Sequence, residues 1–395
     1  MYYPRESEPE ILQSIANNPV TAILGPRQCG KSTLARHIAN NSDKEYIYLD
    51  LERPSDLQKL DDAEWFLGSQ KNKLICLDEI QRKPELFPLL RTLVDEWGGN
   101  GHFLVLGSAS RELLKQSSES LAGRISYKRL SPFLYSELKD NFQMNDYLSR
   151  GGFPRSLLAA GNKESFEWRE DFIATFLERD LLLWSGFSPV TMRRLWQMLA
   201  NLNGQIVNFS ALGGALGVSH TTVRNYIELL GSTFMLQLLP PYKASSGKRL
   251  VKSPKIYLND TGVANALLRI TDFDQLSGHP SFGSAWESLV LINLTATFPQ
   301  FNFFFYRTGH GAEIDIILEN GLKRIAVECK ASLSPKLSAG TYSVIEDIQP
   351  AVTLVVAPVE KGWSMKNDIR VVNISEAIAF ISGSGSNRPS PFMIC

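Results

Sequence analysis

The sequence predicts an α/β protein in three parts: a parallel sheet packed between helices, a mainly helical middle, and a second α/β unit towards the C-terminal end. Three observations predict this. Short apolar runs of buried-strand type alternate with helical stretches through the first third of the chain. The middle third keeps helical spacing and loses those runs. Beyond residue 300 the runs return around Asn320-Gly321, the strongest two-residue hairpin signal.

Length and composition narrow the possible classes. The chain has 395 residues, enough for two or three domains at ~150 residues each. Its apolar fraction is 44% and its charged fraction 21%, which suits a globular protein with real cores. Lys+Arg and Asp+Glu both number 41, so no strong whole-chain attraction to nucleic acid or anionic membrane is expected. A local basic patch stays open. Residues 1–6 carry no apolar leader segment, and no apolar run approaches the ~20 residues of a membrane span, so no membrane partner is expected. Cys29, Cys76, Cys329 and Cys395 are scattered without a C-x-x-C pair. A disulfide framework or zinc site is therefore not expected, and a cytoplasmic location is. His37, His102, His220, His279 and His310 form no metal-spaced set.

In chain order, residues 20–24 read as a strand running into a glycine loop, and residues 32–39 as a helix. Residues 46–49, 74–77 and 103–106 are further short strands, with a helix over 84–97. Short buried strands alternating with helices imply a parallel sheet covered on both faces. Helices follow around Tyr147 and over 166–183, interrupted at Gly151-Gly152-Phe153-Pro154, and again over 191–230. Residues 240–254 read as a loop. Strands are expected at 301–306, 313–318, 323–330 and 352–356. The boundaries drawn are 1–137, 138–189 as a helical linker or lid, 190–272, 273–382, and a mobile tail at 383–395.

The first chemical motif is Gly25-Pro26-Arg27-Gln28-Cys29-Gly30-Lys31-Ser32, followed by Thr33. It matches G-x-x-x-x-G-K-[ST] between a strand and a helix. Glycines let backbone N–H groups and the helix N-terminus close on phosphate. Lys31 would reach the β- and γ-phosphates of ATP or a close relative, and the Ser32 hydroxyl would ligate Mg²⁺. The alternative is a plain glycine turn with a solvated lysine. Residues 74–77 then deliver Asp78 and Glu79 to the C-terminal edge of the sheet, where ligands bind. Asp78 would hold Mg²⁺ and Glu79 would orient the attacking water. A strand-end or N-cap acid is the alternative. Ser108 or Ser110, after the strand 103–106, would contact the γ-phosphate or the water. Arg124 would supply positive charge in cis or from a neighbouring subunit, or else form a surface salt bridge.

These residues resemble the AAA-type P-loop ATPases over positions 18–135. More narrowly, the chain resembles a prokaryotic family that joins such a domain to a C-terminal domain of unknown function. The carrying residues are Gly25 to Ser32, Leu77-Asp78-Glu79-Ile80-Gln81, Gly107-Ser108-Ala109-Ser110 and Leu121-Ala122-Gly123-Arg124. Gly151-Gly152-Phe153-Pro154 and Glu178-Arg179-Asp180 add to them. The resemblance implies ATP and Mg²⁺ as ligands, hydrolysis of ATP, and possible self-association through the ATPase domain. One position departs: Ser108 stands where such enzymes usually carry Asn.

Two further constellations lie beyond this first domain. Residues 210–217 and 219–227 read as a helix-turn-helix, with Gly217 closing the first helix and Ser219 capping the second. Leu212, Leu216, Val218, Val223 and Ile227 would form its core. Thr221, Thr222, Arg224 and Asn225 would face outward to phosphates or base edges of DNA, with Lys243, Lys248, Arg249, Lys252 and Lys255 as a basic wing. A winged-helix unit that only packs or docks a partner is the alternative.

In the last third, a hairpin with Asn320-Gly321 as its two-residue turn pairs Asp315 with Ala326 and Glu313 with Glu328. Glu313, Asp315, Glu328 and Lys330 then share one face, with Ile314, Ile316, Val327 and Cys329 on the other. Opposed carboxylates repel, and a divalent cation would relieve them. The spacing resembles the Asp…Glu-x-Lys core of restriction-endonuclease-like nucleases. Glu287 matches the acid such folds place on the preceding helix, which gives Glu287, Asp315 and Glu328 as metal ligands beside Lys330. A solvated edge hairpin is the alternative.

Two functions remain in view. One is an ATPase coupled to DNA binding or processing. The other is a nucleotide-controlled switch or scaffold with an inactive nuclease-like domain and a protein partner. A small-molecule kinase fits less well, because no acceptor pocket signature accompanies the two extra modules.

Overall fold

β1 (Val20–Leu24), β2 (Tyr46–Asp50), β3 (Leu74–Asp78), β4 (Phe103–Gly107) and β5 (Ile125–Arg129) form one sheet in the computed structural model, ordered β2-β3-β4-β1-β5. Every pairing in it is parallel. The structure describes residues 2–108, 117, 119–138, 140–180, 188–243, 250–366 and 368–383, with backbone only at 179–180.

β1, β3 and β4 are buried at every position, so they need apolar residues on both faces. Their side chains alternate between two cores. Ile23, Cys76, Leu104 and Leu106 meet Ile11, Leu34 and Ile38 from helices Glu8–Asn17 and Lys31–Asn40. Val20, Ala22, Leu24, Ile75, Leu77 and Val105 meet Leu86, Phe87, Leu90 and Leu93 from helix Leu86–Trp97. The four expected strands are present. β5 was not expected, and its half-buried Ile-Ser-Tyr-Lys-Arg sequence explains why: an edge strand needs no apolar run.

The middle is helical, as expected, with a small sheet added. Helix Asn162–Thr175 continues as a π-helical turn over Phe176–Asp180. Helix Pro189–Asn201 leads to β6 (Gln205–Ile206), then helices Phe209–Leu216 and His220–Ser232. β7 (Leu236–Leu239) and β8 (Lys255–Leu258) complete an antiparallel sheet in the order β6-β8-β7. Gly217 ends the first of the paired helices in left-handed conformation, and the Ser219 hydroxyl accepts from Thr222 N–H at the start of the second. The expected small core is there: Leu212, Val223 and Ile227 are buried, and Leu216 and Val218 pack against them.

The break at residues 151–154 has a packing cause. A Cβ on Gly152 would lie 2.3 Å from the Phe133 carbonyl oxygen, and one on Gly151 would lie 2.2 Å from Asp260 Oδ1. Asp260 uses that closeness to accept from Gly152 N–H at 2.7 Å and from Val263 N–H at 2.8 Å.

The C-terminal unit is a mixed sheet, β13-β14-β12-β11-β10-β9. Its strands are β9 (Asn302–Arg307), β10 (Glu313–Asn320), β11 (Lys323–Cys329), β12 (Val352–Val356), β13 (Trp363–Ser364) and β14 (Ile369–Val372). Helix Phe282–Thr297 packs Leu289 and Leu294 against Ile316, Leu318, Ile325 and Val327. Ile314, Ile317 and Ala326 face Val344 and Ile348 of helix Ala339–Ile348 in a separate core.

The β10–β11 hairpin departs from its expected form in two ways. Asn320 pairs with Lys323 and Ile316 with Val327, so the turn residues are Gly321 and Leu322 rather than Asn320 and Gly321. Gly321 alone takes positive φ, 58°, and stands first of the two, as a type II′ turn requires. The register therefore moves by two residues, and Glu313 does not oppose Glu328. An even shift keeps each residue on its expected face. A bulge between Ile314 and Ile317 breaks the alternation, however, and puts Ile314 in a different core from Ile316.

Among the described residues, no helix is long and apolar enough to cross a membrane. Most of the expected mobile tail, and Ser110, Lys248 and Arg249, lie outside the described residues.

Candidate functional site

The glycine loop leaves β1 at its C-terminal edge. Gly25 cannot be another residue, because a Cβ there would lie 2.1 Å from the Leu130 carbonyl oxygen. Gln28 and Gly30 take positive φ, 61° and 103°, which curls the chain before helix Lys31–Asn40 begins. Such a curl turns successive N–H groups to one side, and Gly30 brings no side chain to cap the helix. Lys31 is 5% exposed, and its Nζ donates to the Gly25 and Pro26 carbonyls at 3.0 and 2.8 Å. The lysine thus closes over the loop it belongs to. Behind the loop, buried Arg5 donates to the Cys29, Ser131 and Pro132 carbonyls and pairs with Glu137 at 3.0 Å. Sequence reasoning missed this anchor, since only the fold brings residue 5 to the loop.

β3 and β4 end at the same edge as β1. Asp78 is 4% exposed and accepts from the Tyr48 hydroxyl, near which the Ser32 side chain also lies. A hydroxyl from the loop helix and a carboxylate from β3 therefore converge on one point. That oxygen set suits Mg²⁺, and Ser32 and Asp78 are the residues that would hold it. Burial, together with the Asp78 charge, raises the Tyr48 hydroxyl far above its ordinary range, so it is a proton donor here.

Glu79 follows in left-handed conformation at φ 57°. Burial pushes its carboxyl above the usual range, while Lys31 and Arg27 pull the other way. Gln81 Nε2 donates to Glu79 and, at 3.2 Å, to Ser108 Oγ. Ser108 is thereby joined to Glu79 through Gln81, a residue the motif carried but sequence reasoning did not single out. Among the described residues, Gln81 Oε1 is buried without a hydrogen-bond partner.

Arg124 is elsewhere. It directly precedes β5, whose Ile125 pairs with Val20 at the start of β1, so Arg124 lies at the sheet edge opposite the loop. Its guanidinium holds Asp95 at 2.5 and 2.9 Å. The cis alternative is set aside by this placement, and the surface salt bridge is present.

In the middle unit, Thr221, Arg224 and Asn225 are exposed on helix His220–Ser232, and Thr222 is half-buried. Lys255 corrects the expected basic wing. It is 2% exposed at the start of β8 and points into the C-terminal unit. Its Nζ lies 2.6 Å from Glu313 Oε1, 2.9 Å from Glu287 Oε1 and 3.5 Å from Asp315 Oδ1. Tyr257, two residues on, donates its hydroxyl to Glu287.

Two acids of the expected face, Glu313 and Asp315, therefore meet Glu287 around an ammonium. Asp315 also accepts from Cys329 N–H at 2.9 Å, and Lys330 binds Glu328 Oε1 at 2.7 Å. Burial and the Asp315 charge push Glu287 up to about 7 and Glu328 up to about 8. Glu328 Oε2 is buried without a partner among the described residues. Among the described residues, no group of three His, Cys, Asp or Glu stands in a metal-holding arrangement. The signal that was available for Lys255 was its position at the head of the buried run Lys255-Ile256-Tyr257-Leu258.

The parallel sheet, the curled loop with its lysine, and the two acids at one edge define an AAA-type P-loop ATPase domain. Residues 17–139 match the profile described as an AAA domain, while 141–274 and 282–377 match two domains of unknown function, DUF8612 and DUF4143. The chain is 37% identical over 369 residues to uncharacterised proteins Mb2031c of Mycobacterium bovis and Rv2008c of Mycobacterium tuberculosis, an overlap of 93% of this chain and 83% of each relative. It belongs to the family of these proteins.

Similar solved structures overlap loosely. A replication initiator DnaA bound to AMPPCP and single-stranded DNA has 14% identity and a TM-score of 0.32, over 58% of this chain and 90% of that one. A signal-transduction ATPase of the STAND class from Pyrococcus horikoshii has 11% identity and a TM-score of 0.28, over 74% and 48%. Overlaps this loose define no fold.

Proposed function

We propose that the chain is a Mg²⁺-dependent ATPase whose nucleotide state is passed to the middle unit, where DNA is the ligand. The observation that carries the reading is the gathering of Lys31, Ser32, Asp78, Glu79 and Ser108 at one edge of the parallel sheet. Lys31 and the amides of residues 25–33 bind the phosphates. Ser32 and Asp78 hold Mg²⁺, which offsets charge on the phosphates when bound. Glu79 takes up the attacking water, and Gln81 sets its orientation. Arg124, half-buried at the opposite edge and paired with Asp95, would serve a neighbouring subunit. That reading includes self-association through the ATPase domain.

The middle unit has the element order of a winged helix: helix, strand, two helices, then two strands. The exposed Thr221, Arg224 and Asn225 support contact with DNA through helix His220–Ser232. The C-terminal unit is read as nuclease-like in its residue set and inactive as it stands. The specific observation for inactivity is the Lys255 ammonium among the carboxylates.

The test is phosphate release from Mg²⁺-ATP by the purified full chain, with and without duplex DNA. Release that DNA accelerates, with a DNA affinity that falls steeply with salt, is the expected result. Release indifferent to DNA moves the partner to a protein. No release at all overturns the ATPase reading.

A further inference from the structure

We infer that the ammonium of Lys255 stands where a divalent cation would sit, so that β8 of the middle unit keeps the C-terminal acidic cluster closed to Mg²⁺. The inference uses the reading of the C-terminal unit as nuclease-like only in its choice of Glu287, Asp315 and Glu328. It does not depend on ATP hydrolysis.

The geometry argues it from both sides. Three carboxylates from two elements of the C-terminal unit meet one ammonium: Glu287 from helix Phe282–Thr297, and Glu313 and Asp315 from β10. An ammonium has three N–H donors, and here it has three acceptors within 3.5 Å. Its side chain is 3% exposed, so water does not compete for those donors. The Lys255 position is fixed by the middle unit. Its backbone pairs with Ile206 of β6 and Leu239 of β7, so the ammonium moves with that sheet.

Lys255 is not the cluster's only cation. Lys330 reaches Glu328 Oε1, and Arg307 reaches Glu313 at 3.3 Å. Glu328 Oε2 is buried and accepts from nothing among the described residues. Once its proton leaves, that buried oxygen is a ligand position open to a cation. Mg²⁺ and Mn²⁺ take carboxylate oxygens and bring two charges. Glu287, Asp315 and Glu328 are the ligands such an ion would find once Lys255 withdrew. The cluster is thus a lock between two units, and its cation affinity is set by where β8 lies.

The experiment is a Mn²⁺ titration of the full chain without nucleotide, read by the electron paramagnetic resonance of free Mn²⁺. Wild type is expected to bind no more Mn²⁺ than Asp315→Asn. Lys255→Met is expected to gain one site at least tenfold tighter, and Lys255→Met with Asp315→Asn to lose it again. Binding of an ATP analogue in the same samples reports whether the first unit is folded, independently of turnover. Should Lys255→Met fold only when Mn²⁺ is supplied, that rescue supports the lock equally. Wild-type binding of one Mn²⁺ that Asp315→Asn removes would overturn it. So would a Lys255→Met protein that gains no site, or one that stays unfolded with Mn²⁺ present.

Discussion

Glu79 leaves β3 in a left-handed turn, with Gln81 bonded to its carboxylate and Asp78 just before it. Glu79→Gln keeps the shape and loses the base. Turnover is expected to fall by roughly 10²- to 10⁴-fold while ATP affinity holds. Phosphate release beside equilibrium binding measures this, and unchanged turnover removes Glu79 from its role. Glu328 gives a pH dependence. Folded, its carboxyl holds a proton up to about pH 8, because burial and Asp315 disfavour the charge, whereas its ordinary value is 4.5. Between those values the folded state binds more protons, so this group's contribution to stability falls as pH rises. Melting at pH 6 and pH 8 is expected to differ less in Glu328→Gln than in wild type, and equal slopes would contradict it. At this scale the sequence was legible wherever spacing carries the chemistry, as at Gly25, Gly30, Lys31, Asp78 and Glu79. It was silent on Arg5 and Tyr48, and it placed Lys255 on a wing. Those three meet their partners only through the fold, at separations of 24, 30 and 32 residues or more.

Elements were read well where both faces are buried. β1, β3 and β4 are continuous apolar runs, and hydrophobic burial leaves such runs few other places to go. β5, β6 and β7 escaped, because edge positions tolerate polar residues, and β8 escaped although it is central and buried. The β10–β11 hairpin was found but misregistered. An Asn-Gly pair announces a turn without deciding whether Asn is its first turn residue or its last strand residue. The bulge at Asp315 had no sequence signal that we can name. Gly152 shows an element fixed by packing rather than propensity. Gly152→Ala would press a Cβ to 2.3 Å from the Phe133 carbonyl oxygen. Overpacking of this kind costs about 1–3 kcal/mol or more. A lower melting temperature is expected, and an unaltered one would mean that the segment shifts freely.

For the whole molecule, Arg124 and the P-loop occupy opposite edges of one sheet, so a single chain cannot bring them together without unfolding it. If copies of the chain assemble edge to edge, Arg124→Ala and Lys31→Ala are each inactive alone. Mixed together they recover part of the turnover, because one site in the mixture joins an intact loop to an intact arginine. No recovery, with self-association measured in the same mixture, would assign Arg124 only its salt bridge to Asp95. Mixing does not test the central claim itself, which is that the amides of residues 25–33 and Lys31 hold a triphosphate. The direct measurement is equilibrium binding of a fluorescent ATP analogue to wild type and Lys31→Ala, each checked for folding by its melting curve. The account predicts Mg²⁺-enhanced binding by wild type and its loss in a folded Lys31→Ala protein. Equal affinity in the two would contradict it.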